Sequence, residues 1–411
     1  MNKSEHATRR GFLWTRILDV PFWGLINLLV FILHKDMHTN PLAITLLIAL
    51  KPMSSLIAPY WSQAIHQRPD RIVGNLLWAS LLRYIPFLFL PWIESSWFVI
   101  TAFALYMMLY RAAVPAWIEL FKHNLPEKVR EKTLAWGCTI EFCGPAVLTL
   151  ALGILMDTYG HLWQWLFAGT ALLGLCSTWF LYGLPHPAVA VPLSTISSNK
   201  IPFDLWKELV NPWRQAAQLL RTRYDFAVFQ IGWMVGGTGV MILQPALPGF
   251  FVDILRLSYT EIAIALTLCK GLGVAVSSPI WARLFPKLDI YYFSGWVILI
   301  ATAFPLFLLF SSLSHFFLYC AYFLYGVMQA GSELGWHMSG LFFAKDKESA
   351  LFSSTNLVTS GIRGCIVPAL GALLLTFIPC VGVLSLGIGV CLFATWHLFL
   401  QSKKKVALVT T

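Results

Sequence analysis

Ionisable side chains stand inside long apolar stretches of this sequence, where a charge is costly and therefore informative. Charges that persist at such positions usually bind a solute, a proton or one another. The chemistry available to them is binding and exchange, because no catalytic dyad, carboxylate cluster or His-rich motif occurs among them. The set consists of Asp19, Lys51, Arg83, Arg111, Glu141, Lys270, Glu333, His337 and Arg363.

The elements that hold these residues must be membrane helices. Hydrophobic residues make up 58% of the chain and charged residues 12%, with a mean hydropathy of +0.70, whereas soluble domains carry about 25% charged residues. Helices satisfy their own backbone hydrogen bonds in lipid, and single strands do not. The sequence predicts an all-α membrane protein with twelve spans, at 11–33, 41–63, 73–93, 96–118, 133–156, 162–184, 226–252, 259–284, 291–311, 316–342, 350–375 and 378–400.

Basic residues alternate between the loops of this predicted topology. Nearly all loop Lys and Arg fall on one side, and the opposite loops contain only Lys35 and Arg256. The positive-inside rule then places both termini in the cytoplasm. We expect the protein in the cell's inner membrane. The net charge of +10 does not indicate nucleic-acid binding, because the basic residues form no continuous patch.

The longest loop divides the chain into two halves. We predict bundles at 1–184 and 226–400, a cytoplasmic linker with an amphipathic surface helix at 185–225, and a cytoplasmic tail at 401–411. The eight cysteines have no paired spacing, and no histidine stands at ligand spacing. The sequence therefore predicts no disulfide, metal site or cofactor.

The two halves carry matching charges at a shift of 222 residues, which takes position 111 onto 333 and 141 onto 363. Arg111 and Glu141 flank one helical hairpin symmetrically, and Glu333 and Arg363 flank another, so each pair is predicted to meet at equal depth. One interpretation is that each pair locks its two helices together. Another is that the pairs exchange partners during alternating access, or that Glu141 or Glu333 carries a coupling proton. His337 follows Glu333 by one turn and either shares that proton or packs as a hydrogen-bonded side chain.

Two lysines, Lys51 and Lys270, remain on equivalent helices of the two halves. They could recognise an anionic solute, although Asp19 could instead neutralise Lys51. Structural pairing or snorkelling towards the interface is the other interpretation. Polar and aromatic side chains that could orient the solute are Gln230, Gln329 and Trp336.

Several features resemble the major facilitator superfamily: Arg111 in span four, Gly144-Pro145 in span five, and the stretch from Gly153 to Phe167. The loop after span two departs from the family pattern, with His66 and Pro69 at positions where Asp and Gly are usual. The resemblance implies two pseudo-symmetric six-helix bundles, with spans three, six, nine and twelve outside the central cavity. Arg83 in span three is an exception to that arrangement.

We expect a monomeric, non-enzymatic secondary transporter, which moves a small organic anion or phosphorylated metabolite by alternating access. Its partners would be the solute, the lipid bilayer and a coupling proton or counter-ion. One alternative is a proton-driven exporter of lipophilic compounds. Another, from a different class, is a non-transporting scaffold or receptor that retains the fold.

Overall fold

A computed structural model describes residues 3–67, 71–160, 162–185, 205–344 and 349–410, and the regular structure in these ranges is helical. Seven helices lie before the longest loop. They are α1 (Lys3–Lys35), α2 (Pro41–Gln67), α3 (Ile72–Leu88), α4 (Ser96–Asn124), α5 (Glu127–Thr158), α6 (Trp163–Cys176) and α7 (Thr178–Tyr182).

Among the described residues nine helices follow the loop, and three of them adjoin π-helical turns, at Phe250–Ile254 and Ile264–Cys269. They are α8 (Leu205–Thr222), α9 (Tyr224–Met241), α10 (Leu247–Gly249), α11 (Tyr259–Ala263), α12 (Lys270–Leu284), α13 (Ile290–Phe310), α14 (His315–Ala344), α15 (Ser349–Leu374) and α16 (Cys380–Thr410).

The helices agree with the predicted membrane spans. Within the described residues, 10 helical segments are long and apolar enough to cross a membrane. Predicted spans two and ten lie on α2 and α14, which contain 27 and 30 residues, more than the roughly 20 that a crossing needs. The all-α membrane fold is therefore confirmed.

Contact clustering divides the chain into two units. Unit 1 comprises Met1–Ile26, Ser54–Leu148 and Tyr159–Asn211. An apolar cluster that includes Phe12, Trp117 and Phe121 packs at one end of it. Aromatic rings fill its interior, where Tyr84 fits against Gly174 because a side chain at that glycine would meet the tyrosine ring.

Unit 2 comprises Asn27–Met53, Thr149–Thr158 and Pro212–Thr411. Its core is a cluster of large aromatic side chains, among them Phe226, Phe229, Trp233, Phe293 and Phe343. Small residues let helices approach closely in membranes, where no hydrophobic force drives helices together.

The predicted division into bundles at 1–184 and 226–400 stays a prediction.

Helix α8 occupies the second part of the predicted linker. Ala216 and Leu219 are buried, while Val210 and Trp213 are exposed beside Arg214. This pattern suits a helix with one face on protein and another towards a membrane surface. The earlier part of the linker, 186–204, lies outside the described residues, and the surface role stays a prediction.

Candidate functional site

Asp19 on α1 is the centre of a buried polar cluster in unit 1. The side chain is only 3% exposed. Its carboxylate accepts hydrogen bonds from the hydroxyls of Tyr84 at 2.5 Å and Tyr106 at 3.0 Å. The guanidinium of Arg83 lies 3.7 Å away and completes an ion pair. A carboxylate with this many donors is well satisfied despite its burial.

Arg83 explains why a charge occurs on predicted outer span three. Its guanidinium donates to the Tyr84 hydroxyl at 2.6 Å and lies over the rings of Tyr84 and Tyr106, 4.5 and 5.5 Å from their centroids. These contacts keep the cation inside the protein and away from lipid. The sequence analysis considered Lys51 as the ion-pair partner of Asp19, whereas in the structure Asp19 pairs with Arg83.

Glu141 on α5 belongs to a second ion pair in unit 1. Its Oε1 lies 2.5 Å from a guanidinium nitrogen of Arg16, which also donates to the Tyr110 hydroxyl at 2.9 Å. The Tyr110 hydroxyl donates to the same carboxylate. The Glu141 side chain is 33% exposed and that of Arg16 17%, so this pair is less buried than Asp19 and Arg83.

The predicted pairing of Arg111 with Glu141 is therefore wrong in this structure. Equal distance from a hairpin turn fixes the depth of two residues, but the face of each helix is set by its rotation. Neighbouring positions on a helix point about 100° apart, and Tyr110 rather than Arg111 faces Glu141. The buried Nε of Arg111 has no hydrogen-bond partner among the described residues.

A small cavity connects the two ion pairs of unit 1. Its volume is about 20 Å³, and Arg16, Asp19, Arg83 and Tyr110 all line it. That space suits one water molecule with several polar partners. The sequence analysis missed Arg16 and the tyrosines. The one available signal was the spacing of Tyr106 and Tyr110, which places both hydroxyls on one face of α4.

Gln230, which the sequence predicted as a solute ligand, belongs to a hydrogen-bonded link between three helices of unit 2. Gln230 on α9 is 3% exposed and hydrogen-bonds Asn356 on α15. The Asn356 amide nitrogen then donates to Ser339 Oγ on α14 at 2.8 Å. The side-chain oxygens of Gln230 and Gln329 are buried without a hydrogen-bond partner among the described residues. Such oxygens are costly to bury and suit a bound water or solute.

Lys270 begins α12, directly after the π-helical turn Ile264–Cys269. Turns of this kind occur frequently at functional sites because they shift the register of side chains. The ammonium nitrogen lies 5.9 Å from the ring centroid of Tyr325. No carboxylate of the described residues lies within ion-pair distance of Lys270.

Arg363 on α15 makes a different contact from the one predicted. One guanidinium nitrogen donates to the Trp233 carbonyl at 3.3 Å, and the other lies 3.5 Å from Ser360 Oγ. Arg363 makes no ion pair with Glu333, whose side chain is exposed, so the predicted pairing is wrong here. The guanidinium instead occupies space beside Gly237, where a Cβ would lie 1.8 Å from it.

The described contacts do not bring the remaining predicted site residues together into one group. Lys51 is exposed on α2, and Trp336 is half-buried against the aromatic core of unit 2. The side chain of His337 lies outside the described residues. Their roles stay predictions.

A second polar cluster of unit 2 was not found from sequence. Both oxygens of the Asp157 carboxylate accept backbone N–H groups at the start of α11, from Tyr259 and Thr260 at 2.8 Å each. The Tyr259 hydroxyl donates to Asp36 at 2.8 Å, and His34 contacts Asp253 at 2.9 Å. The two Asp157 bonds satisfy free amides at the N-terminus of α11, which leads through the π-helical turn to Lys270.

Comparison with known proteins identifies the family. The family model described as Major Facilitator Superfamily matches residues 15–368. This chain belongs to the Major Facilitator Superfamily. No curated protein matches the sequence.

Solved structures of facilitator-superfamily transporters share the fold. A mutant of the nucleoside transporter NupG superposes with a TM-score of 0.69 at 11% identity, covering 97% of this chain and 99% of the other. A POT family transporter in complex with 5-aminolevulinic acid gives 0.71 at 12% identity, covering 98% and 97%. A mutant peptide transporter POT in complex with alafosfalin gives 0.71 at 15%, covering 98% and 95%. At these identities the likeness concerns the fold.

Family membership confirms several of the sequence-based predictions. This facilitator-superfamily protein is a multi-pass membrane protein and a secondary transporter of a small solute, not an enzyme. Proton or ion coupling in general accords with this family. The cell's inner membrane, the cytoplasmic termini and the monomeric state stay predictions.

Proposed function

We propose that this transporter moves a small organic anion by alternating access. The observation that supports the proposal is a surplus of positive charge in unit 2. Among the described residues, neither Lys270 nor Arg363 has a carboxylate within ion-pair distance. A cation in a low-dielectric interior needs a counter-charge, and an anionic solute provides one.

The charges within unit 1 support the same proposal. The two acids that the sequence places within its predicted spans, Asp19 and Glu141, are already paired with Arg83 and Arg16. Arg111 makes no ion pair with any described residue, so a positive charge is left over here as well. A transporter of lipophilic cations would favour unpaired carboxylates, because an acid attracts the positive charge of such a solute. Lys51, Gln329 and Trp336 remain candidate ligands from the sequence.

Substitution of Lys270 tests the solute class. We expect purified protein in proteoliposomes to accumulate a labelled organic anion, and Lys270→Gln to reduce the initial rate more than tenfold by removing the counter-charge. Lys270→Arg should retain part of the rate. The matched control is Lys287→Gln, which removes a lysine from the short turn Phe285–Lys287 beyond the same helix and should transport normally.

The uptake panel also separates the competing functions. It contains carboxylates, phosphate esters, nucleotides, amino acids and a lipophilic cation. Accumulation of the cation alone, with Lys270→Gln unchanged, would contradict the anion proposal and favour an exporter of lipophilic compounds. Absence of transport for every probe, in protein that is folded by thermal unfolding, would instead favour a scaffold or receptor.

We further propose that Glu141 carries the coupling proton. Its carboxylate is partly exposed, bonded to Arg16 and Tyr110, and adjacent to the cavity that fits one water. Protonation would release Arg16 from its counter-charge and so couple a proton to the arrangement of α1, α4 and α5. Asp19 is less suited, because it is only 3% exposed, whereas the Glu141 side chain is 33% exposed.

Neutralising Glu141 tests this coupling. Glu141→Gln should abolish anion accumulation driven by a pH gradient, while solute exchange at equal pH on both sides continues at a rate within about threefold of wild type. The control is Glu94→Gln, which removes an exposed acid between α3 and α4. A Glu141→Gln variant that still accumulates solute against its gradient would exclude this residue as the proton carrier.

A further inference from the structure

Arg363 faces a small cavity within unit 2 that the transport proposal does not yet use. The cavity has a volume of about 50 Å³, and α9, α13, α14 and α15 form its walls. Arg363 and Ser332 are its polar lining residues besides the indole of Trp233. The remaining lining is apolar and includes Val240, Val297, Ile298, Ala301 and Met328.

The guanidinium at this cavity is poorly satisfied. Its contacts are the Trp233 carbonyl at 3.3 Å and the Ser360 hydroxyl at 3.5 Å. Its Nε is buried and donates to no described residue. A guanidinium has five N–H donors in a planar fork, so most of these donors are free to bind an acceptor. Leaving them unused in an apolar wall is energetically costly.

Gly237 makes room for the guanidinium. A Cβ at this position would lie 1.8 Å from one guanidinium nitrogen and 2.3 Å from the central carbon. A Cβ at the neighbouring Gly236 would lie 2.3 Å from the side chain of Ile298. The glycine pair therefore admits both the arginine and the apolar wall opposite it, which makes the space a built niche and not a packing fault.

The size of the niche selects among anions. One water occupies about 10–15 Å³ on this measure, so the niche of about 50 Å³ accommodates about three to five atoms of that size. A carboxylate group has three heavy atoms and a phosphate group has five. The planar carboxylate also matches the fork of a guanidinium in a bidentate arrangement.

We infer that the niche formed by Arg363, Gly237 and Ser332 binds the carboxylate group of the transported solute. Arg363 provides the bidentate donors, Ser332 a hydroxyl, and Trp233 an aromatic wall. The inference rests on the proposed anion transport and narrows its solute class from organic anions to carboxylates. The three heavy atoms of a carboxylate group fit within the niche, whereas the five of a phosphate group reach the upper limit of its volume.

Thermal unfolding of the purified full-length protein tests the niche with acetate, butyrate and methyl phosphate, at constant ionic strength in chloride. We expect saturable stabilisation by the two carboxylates and at least tenfold weaker binding of methyl phosphate. Gly237→Ala should weaken carboxylate binding at least tenfold. It retains the charge but displaces the guanidinium, whose flexible end can move without unfolding the protein. Arg363→Lys should also weaken binding, because it lacks the planar fork.

The matched control is Gly389→Ala, because an added Cβ at Gly389 meets no atom within 4 Å. This variant should bind both carboxylates with wild-type affinity. If wild type binds carboxylates and Gly237→Ala binds them equally well, the niche assignment is wrong while anion transport stands. Stronger binding of methyl phosphate than of acetate would overturn the carboxylate selection. If no anion stabilises wild type although the proteoliposomes still accumulate an organic anion, the niche assignment is wrong and the proposed function stands.

Discussion

Asp19→Ala should destabilise the protein by about 3–5 kcal/mol, the largest stability effect we expect from a single polar substitution. The change leaves the buried Arg83 guanidinium without its counter-charge and removes the acceptor of two tyrosine hydroxyls. The free energy of unfolding, measured by denaturant titration in mixed micelles, gives the effect directly. Its size follows from burial, because both side chains of the pair are below 10% exposed.

A double-mutant cycle separates the ion pair from general disruption. Asp19→Leu and Arg83→Met are measured singly and together. The double variant removes both charges and should recover the part of the loss that comes from the unpaired guanidinium, but not the part that comes from the two tyrosine hydroxyls. Tyr106→Phe removes one hydrogen bond to Asp19 and should cost only about 1 kcal/mol. An Asp19→Ala variant as stable as Tyr106→Phe would mean that water already solvates this pair.

The helical architecture was predictable because it depends on hydropathy over long windows. The predicted spans coincide with helices in the structure, of which 10 among the described residues are long and apolar enough to cross a membrane. The alternation of basic loops predicted twelve spans. The conclusion that intramembrane charges must find partners was also sound, as Asp19 and Glu141 show. These inferences use the energetics of transfer into lipid, which do not depend on how helices rotate.

Which residues pair with these intramembrane charges was not predictable, because pairing depends on how each helix is rotated about its axis. Hairpin symmetry predicted that Glu141 has a partner at its own depth on α4. The rotation of α4 turns Tyr110 towards Glu141, and the cation that pairs with Glu141 is Arg16 of α1. Arg363 likewise turns towards Gly237 instead of Glu333. Rotation is set by packing between helices, and the closest packing depends on single glycines that hydropathy does not register.

Helices α12 and α14 cross at such glycines, beside Lys270. A Cβ at Gly326 would lie 2.0 Å from the Lys270 carbonyl oxygen, and a Cβ at Gly273 would lie 2.1 Å from the Phe323 carbonyl oxygen. Both obstacles are backbone atoms of a helix, which cannot rotate away as a side chain does. The crossing therefore fixes the position of the lysine that the transport proposal places in contact with the solute.

Gly326→Ala should consequently separate α12 from α14 and move Lys270. We expect a loss of about 1–3 kcal/mol in the free energy of unfolding, as for overpacked cores, and a reduction of more than tenfold in solute uptake. The matched control lies on α12 itself: Gly271 follows Lys270 directly, yet an added Cβ there meets no atom within 4 Å. Gly271→Ala should thus retain both stability and uptake. If the two variants behave alike in both measurements, close contact between these helices does not position Lys270; if Gly326→Ala loses uptake but no stability, the lysine tolerates less displacement than the fold does.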